Sequence, residues 1–425
     1  MSNGTVRRPV VPYDGGPRHA GCSAMIDPDS LETLRAEMQA RMGEDRSLLD
    51  ELRAEIRPLR TNTRRIQPRS TTAVSLVGTD GGNNRVEFDP FLVQLVRVVD
   101  SNNNEYCLEA VTPTTDLRRL NARHLDERGQ PSTAMGRMMT AIGVDTLWDL
   151  SHMIPRPPAP GRPREPISPS WVQVYRELTE WAFLLTFVCD TAFGSDTVIV
   201  RDGFLRSKVF RGENFRKYVA KLKEGVENQY RQRRRRIFLA GVAKHSKVLQ
   251  RYHLAMALEG VMRHTYPCYV EVLRNIEMKA YKWQEYARGE EEAAEGGEAN
   301  KFVAGRMHFV KFGARPHDPI WPIDIFETQV DEASTVISYL LADANEGFPV
   351  PFYPQCLQRA HEHAALVDFD MVILQDAIYD AIRDRRVAQL SRPHSPDPES
   401  CCPSSSCISG RIVLAWCEAR VTPQG

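Results

Sequence analysis

The chain carries no net charge, with 55 Lys and Arg balancing 55 Asp and Glu over 425 residues. That excludes a whole-molecule field drawing in nucleic acid, so any anion-binding surface must be local. Long apolar runs are missing as well. The longest, roughly Trp181 to Val188, falls far short of the ~20 residues that span a bilayer. The stretch Met1-Ser2-Asn3-Gly4-Thr5-Val6-Arg7-Arg8-Pro9 lacks the apolar centre of a secretory leader, so no membrane partner and a cytoplasmic address are expected. No G-x-x-x-x-G-K-[ST] or other nucleotide fingerprint occurs, which argues against ATP use by the chain itself. The nine cysteines form no disulfide framework. Five are isolated (Cys22, Cys107, Cys189, Cys268, Cys356), and Cys401, Cys402, Cys407 and Cys417 sit in a Ser/Pro-rich tail at no common zinc spacing. Tandem repeats are absent.

What is present is an ordinary globular composition, 42% hydrophobic and 26% charged, sufficient for one large domain or two ordinary ones. Residues 1–28 and 391–425 are expected to be disordered on composition, leaving a folded domain at 29–390. Leu31, Leu34, Met38, Met42, Leu48, Leu49, Leu52 and Ile56 predict an amphipathic helix over 29–59, capped by Asp29 or Ser30 and broken near Gly43. Strands are predicted at Thr71–Val77, Arg85–Asp89, Phe91–Val99 and Glu105–Val111, with a turn at Asn102-Asn103-Asn104, as an antiparallel meander. The core is expected over about 70–386. Helical pattern around Ala134–Met153 gives way to a Pro-rich spacer at 155–169. Helix Trp171–Phe187, strand Thr197–Val200, helix Asn214–Arg233 and strand Ile237–Ala243 then alternate as in an α/β half. Leu249–Tyr286 reads as mainly helical, and 289–300 as an acidic low-complexity loop. Strands Phe302–Phe312 and Pro319–Phe326 precede helices Glu332–Asn345, Pro354–Asp368 and Met371–Arg386.

The chemistry lies in a recurrence. Ser75-Leu76-Val77-Gly78-Thr79-Asp80-Gly81-Gly82 and Thr197-Val198-Ile199-Val200-Arg201-Asp202-Gly203 each run apolar and then stop at Asp-Gly. Either alone reads as an Asx-turn. Together they read as buried strands delivering two carboxylates to one end of a sheet, where ligands collect. Two neighbouring carboxylates repel unless a cation sits between them, and Mg²⁺ or Mn²⁺ favours such oxygens. Ile237–Ala243 ends in Lys244-His245-Ser246. Lys244, a solvated rim residue if taken alone, would hold a phosphate oxygen if it enters the same cleft, a role His245 and Lys247 would share. Glu177 and Glu180, on the helix before Asp202, are alternative third ligands, although most helix glutamates are simply solvated. His361 lies one turn beyond Leu357 and is a candidate metal ligand or general acid. His363, two residues on, does not share its helical face.

In this order the pieces resemble the NurA nuclease family. The matching residues are Asp80-Gly81-Gly82, Glu180 (or Glu177), Asp202-Gly203-Phe204-Leu205, Lys244-His245-Ser246 and Pro354-Gln355-Cys356-Leu357-Gln358-Arg359-Ala360-His361. The resemblance covers roughly 30–386. Gly82 and Phe204 depart from it, each standing where the family has serine. The resemblance implies an RNase H-like α/β core, a mixed sheet flanked by helices, with carboxylates around Mn²⁺ (or Mg²⁺). It implies 5′-to-3′ exonuclease and single-strand endonuclease activity on DNA, a homodimer, and docking on a HerA-type hexameric ATPase, in DNA end processing or phage defence. On that reading Asp80, Glu180, Asp202 and His361 hold metal and Lys244 binds phosphate. Arg206, Arg233, Arg234, Arg235, Arg236 and Lys247 line the DNA path through phosphate contacts, although the Arg run also reads as a solvated helix face. The alternatives are a catalytically decayed DNA-binding or ATPase-docking subunit and a metal-dependent phosphohydrolase for small molecules. The long basic stretch disfavours the latter.

Overall fold

Thr197–Val200 and Ile237–Ala240 are apolar on both faces, and so belong at the centre of a covered sheet. The structure, a computed structural model, describes residues 27–69, 74–88, 91–158, 170–280, 302–367, 370, 372–380 and 383. The N-terminal extension, most of the Pro-rich spacer, the acidic loop and the Cys-rich tail lie outside these residues. Strands β1 (Arg64–Arg65), β2 (Val74–Phe88), β3 (Phe91–Asp100), β4 (Glu105–Val111), β5 (Asp196–Asp202), β6 (Ile237–Val242), β7 (Cys268–Glu271), β8 (Gly305–Lys311) and β9 (Ile320–Phe326) form one mixed sheet. Its order is β1-β7-β8-β9-β6-β5-β2-β3-β4. Strands β2, β3 and β4 are an antiparallel meander, while β5 runs parallel to β2, and β6 to β5. From β6 outward the neighbours are antiparallel. No helix among the described residues is long and apolar enough to cross a membrane.

Helices flank the sheet: α1 (Pro28–Glu44), α2 (Arg46–Ile56), α3 (Pro58–Asn62), α4 (Leu117–Ala122), α5 (Ala134–Ile142), α6 (Leu147–Leu150), α7 (Trp171–Asp190), α8 (Asn214–Arg233), α9 (Lys247–Glu259), α10 (Arg274–Ala280), α11 (Ala333–Ala344) and α12 (Gln355–Ala364). Strand periodicity sorts the core. Ile199, Ile237 and Leu239 pack with α5, α7 and α8 on one face. Val198, Val200, Phe238, Ala240 and Val242 pack with α11 and α12 on the other. A third cluster joins α2, α9 and α10 to β7 and β8. The chain divides into two compact units, Met1–Leu366 and Val367–Gly425; in the second, 372–380 is helical.

Several elements differ from the sequence reading. The break near Gly43 falls at Asp45, and the first helix is capped by Asp27, whose carboxylate accepts from Ser30 N. Gly143 takes a left-handed backbone that ends α5, separating it from α6. A short strand, β7, interrupts the stretch read as helix because Cys268-Tyr269-Val270 pairs with β8. Most consequential is β2. It does not stop at Asp80 but continues to Phe88, with Gly81 and Gly82 paired to Val98 and Arg97 of β3. Its pairing to β5 ends at Thr79, so Asp80 marks a strand end on one flank only.

Candidate functional site

Alternation along the strands decides which side chains meet. Leu76, Gly78 and Asp80 face α12, as do Val198, Val200 and Asp202. A Cβ on Gly78 would lie 2.6 Å from Cys356 C and 2.9 Å from Leu357 N. The missing side chain therefore lets the first turn of α12 rest directly on β2. That approach sets His361, on the same helix, above Asp80, with His361 Nδ1 2.8 Å from Asp80 Oδ2. Across the β2–β5 boundary, Lys244 Nζ donates to Asp202 Oδ2 at 2.9 Å. The carboxylates are 12% and 16% exposed, while His361 is 65% exposed.

Asp80, Asp202 and His361 present ligand atoms that lie within 4.8 Å of one another. Two carboxylate oxygens and one imidazole nitrogen are a donor set that suits Mn²⁺ or Mg²⁺. Tyr353 fits the same reading. It is 2% exposed, and its hydroxyl lies beside Asp202 without a hydrogen bond of good geometry among the described residues. Burial, then the charges of Asp202 and Asp80, push its ionisation up. The hydrogen bond to Asp80 holds the His361 imidazolium above its ordinary range, against burial and Lys244. Tyr353 is not among the residues singled out from the sequence. The cleft lined by Asp80, Asp202, Lys244 and His361 has a volume of about 710 Å³, and its other lining residues include Arg176, Glu177, Glu180, Arg201, Phe204, Arg206, Lys208, His245 and Lys247.

Solved NurA structures resemble this chain. The NurA nuclease from Sulfolobus solfataricus aligns at 10% identity and a TM-score of 0.40, covering 83% of this chain and 98% of that one. A NurA with manganese aligns at 12% identity and 0.33, over 81% and 98%. A NurA bound to dAMP and manganese aligns at 8% and 0.36, over 79% and 94%. Neither a protein-family model nor a curated protein matches the sequence. At such scores the likeness to NurA carries no argument about chemistry, which must come from the cleft itself.

Glu180, matched to the helix glutamate of the NurA pattern, does not join Asp80 and Asp202. It comes from α7, on the opposite face, and meets the odd-numbered residues of the strands. Arg201 Nη2 donates to Glu180 Oε2 at 2.9 Å, and Arg176 Nε lies 3.4 Å from Oε1. Gly81 faces the same carboxylate so closely that a Cβ would collide with it. Burial pushes the Glu180 carboxyl up to about 7, against the pull of Arg201 and Arg176. Glu177, the alternative, accepts from Ser207 Oγ at 2.5 Å and from Trp181 Nε1 at 3.4 Å. Both glutamates line the cleft, and neither belongs to the three-residue cluster.

The basic residues separate into three groups. Arg206 lines the cleft, but its guanidinium is committed to buried carboxylates. It is 6% exposed, its Nη2 donates to the fully buried Asp324 Oδ1 at 2.6 Å, and it also pairs with Glu277. Arg233, Arg234, Arg235 and Arg236 precede β6, whereas Lys244 follows it. They therefore lie at the other end of the sheet, roughly 20 Å from Asp202 at ~3.3 Å per residue. Arg233 donates to Thr191 O, Arg234 stacks on Tyr230, and Arg236 lies 3.6 Å from Glu332. Lys247, exposed at the start of α9, does line the cleft.

Proposed function

We propose that this protein is a divalent-metal-dependent nuclease acting on DNA, with Asp80, Asp202 and His361 holding the cation. The observation that carries the reading is the convergence of those three ligand atoms within 4.8 Å of one another. They sit in a cleft whose other lining includes Lys244, Lys247, Lys208, Arg176 and Arg201. A divalent cation bound there supplies Lewis acidity and a water of lowered pKa for attack on a phosphodiester. The chain's own groups do the rest. Lys244 Nζ, bridging Asp202 and solvent, offers N–H donors to a phosphate oxygen as negative charge develops. Tyr353 lends its buried O–H to the same locus. His361 Nδ1, 2.8 Å from Asp80 Oδ2, is the atom that would turn to the cation, so the ring serves as a ligand and not as the proton donor. Arg201 and Arg176 are held by Glu180 at the far wall, where they extend the positive lining for the backbone.

The finer expectations belong to the same proposal. Support for an RNase H-like core is the strand order, an antiparallel meander β4-β3-β2 continued by parallel β5 and β6. Mn²⁺ or Mg²⁺ as cofactor follows from the donor set. The motif resemblance supports 5′-to-3′ exonuclease and single-strand endonuclease action, a second copy of the chain and a HerA-type hexameric ATPase as partners, a role in end processing or phage defence, and a cytoplasmic address. The decisive test is degradation of linear DNA with Mn²⁺ by the wild-type protein and by Asp80→Asn and Asp202→Asn. Loss in both variants with folding retained supports the reading. Wild-type protein that binds DNA but does not cut it would replace the enzyme with a decayed DNA-binding subunit.

A further inference from the structure

Among the side chains lining the cleft, only Phe204 and Ala365 are apolar residues; the rest are charged, polar or glycine. The Phe204 phenyl ring packs on one side against the third core cluster and is partly exposed to a channel otherwise lined by charged and polar groups. It stands two residues beyond Asp202, at the centre of the candidate chemistry. Its backbone is fixed on several sides. Gly203 N donates to Val242 O at 2.8 Å, Arg201 Nη1 donates to Phe204 O at 3.0 Å, and Leu205 N donates to Asp324 Oδ2 at 3.1 Å. Ala304 N donates to Leu205 O at 2.8 Å. Gly203 has φ 105°, a conformation that only glycine adopts readily. Gly241 lies so close beneath the loop that a Cβ there would be 2.8 Å from Leu205 N and 3.0 Å from Phe204 C. The ring is held too, with the Arg206 guanidinium carbon 4.9 Å from its centroid. That guanidinium is itself fixed by Asp324 and Glu277. An aromatic surface pinned this firmly at a phosphate-binding site has one natural partner in nucleic acid, the face of an unpaired base.

We propose that Phe204 is a positioning residue on which the base next to the scissile phosphate stacks, so that the substrate reaches the carboxylates as a single strand. The proposal rests on the nuclease reading above. Stacking of this kind is worth about tenfold or more in affinity per base. In a paired duplex that base face is covered by its neighbours, so strand separation must precede the step.

The test uses the full chain and single-stranded oligonucleotides carrying 2-aminopurine or an abasic residue. Binding is read by fluorescence with Ca²⁺ and cleavage with Mn²⁺. Wild-type protein should change 2-aminopurine emission on binding, and Phe204→Leu should abolish that change. Phe204→Leu should cut base-bearing DNA with kcat/KM lowered about tenfold, mainly through KM, and cut at the abasic position as wild type does. Phe204→Trp should restore both signals. Equal slowing on both substrates would make Phe204 merely structural, and no slowing on either would mean the ring is not contacted; either result overturns the proposal. Wild-type protein that neither binds nor cuts single strands overturns the nuclease reading and this proposal together. Wild-type protein that cuts but leaves 2-aminopurine unaltered overturns this proposal alone.

Discussion

Gly78→Ala should unseat His361 without touching any side chain of the candidate site. The new methyl carbon would meet Cys356 C at 2.6 Å and Leu357 N at 2.9 Å. These are backbone atoms of α12, not flexible side-chain ends, so the helix itself must withdraw from β2. Overpacking of a well-filled core costs about 1–3 kcal/mol, and the rigidity of both partners places this case near ~3 kcal/mol. A shift of α12 by even part of an ångström lengthens the 2.8 Å contact between His361 and Asp80. Misplacement of about 1 Å in a catalytic array can cost ~100-fold in rate. Urea unfolding should show the stability loss, and Mn²⁺-dependent cleavage in buffer should show the rate loss. Gly43→Ala is the matched control. No atom lies within 4 Å of its added Cβ, and a helical Gly→Ala change should stabilise by about 0.5–1 kcal/mol. A Gly78→Ala protein with unchanged stability and activity would refute the view that close approach of β2 and α12 builds the site.

Arg206→Met should destabilise the protein by about 3–5 kcal/mol in urea unfolding, because Asp324 and Glu277 lose a buried counter-charge. Unchanged stability with weakened DNA binding would restore Arg206 as a phosphate contact. Lys247→Ala should weaken DNA binding and lower the slope of log K against log salt by about 1; an unchanged slope removes Lys247 from the DNA path. His124 bonds Thr133 through Nδ1 and Tyr175 through Nε2, and burial pushes its pKa down from 6.5 to about 4. The neutral ring therefore stabilises fully above about 6.5, and that stability is lost as pH falls through about 4. The difference amounts to roughly 3 kcal/mol. His124→Gln should flatten this part of the pH–stability curve, and a curve identical to wild type would contradict it.

The sequence made β5 and β6 legible within two residues because both are apolar on both faces, a pattern a rim strand or loop does not sustain. Asp80, Asp202, Lys244 and His361 were picked out as candidates, and the structure brings all four to one cleft. The continuation of β2 through Gly81 and Gly82 was hidden, since an Asp-Gly-Gly run looks like a turn until its hydrogen-bond partners on β3 are known. The pairing of Glu180 with Arg201 was hidden for a related reason. Helical spacing shows that Glu180 lies beside an apolar face, but the parity that turns Arg201 toward it and Asp202 away depends on which sheet face α7 covers. Composition could not separate Arg206 from the Arg233–Arg236 run, because its partners Glu277 and Asp324 are 71 and 118 residues away. Tyr353 was overlooked although it lies in the turn that leads into the helix carrying His361. Its Pro-rich surroundings signal a turn and say nothing of where a hydroxyl points.

The central claim is that Asp80, Asp202 and His361 form the cation site while Glu180 serves Arg201. Mn²⁺ binding followed by electron paramagnetic resonance tests it directly, without requiring turnover. Wild-type protein should bind the ion, Asp80→Asn and Asp202→Asn should each weaken binding at least ~10-fold, and Glu180→Gln should leave it nearly unchanged. Binding that survives Asp202→Asn and is lost in Glu180→Gln would contradict the account.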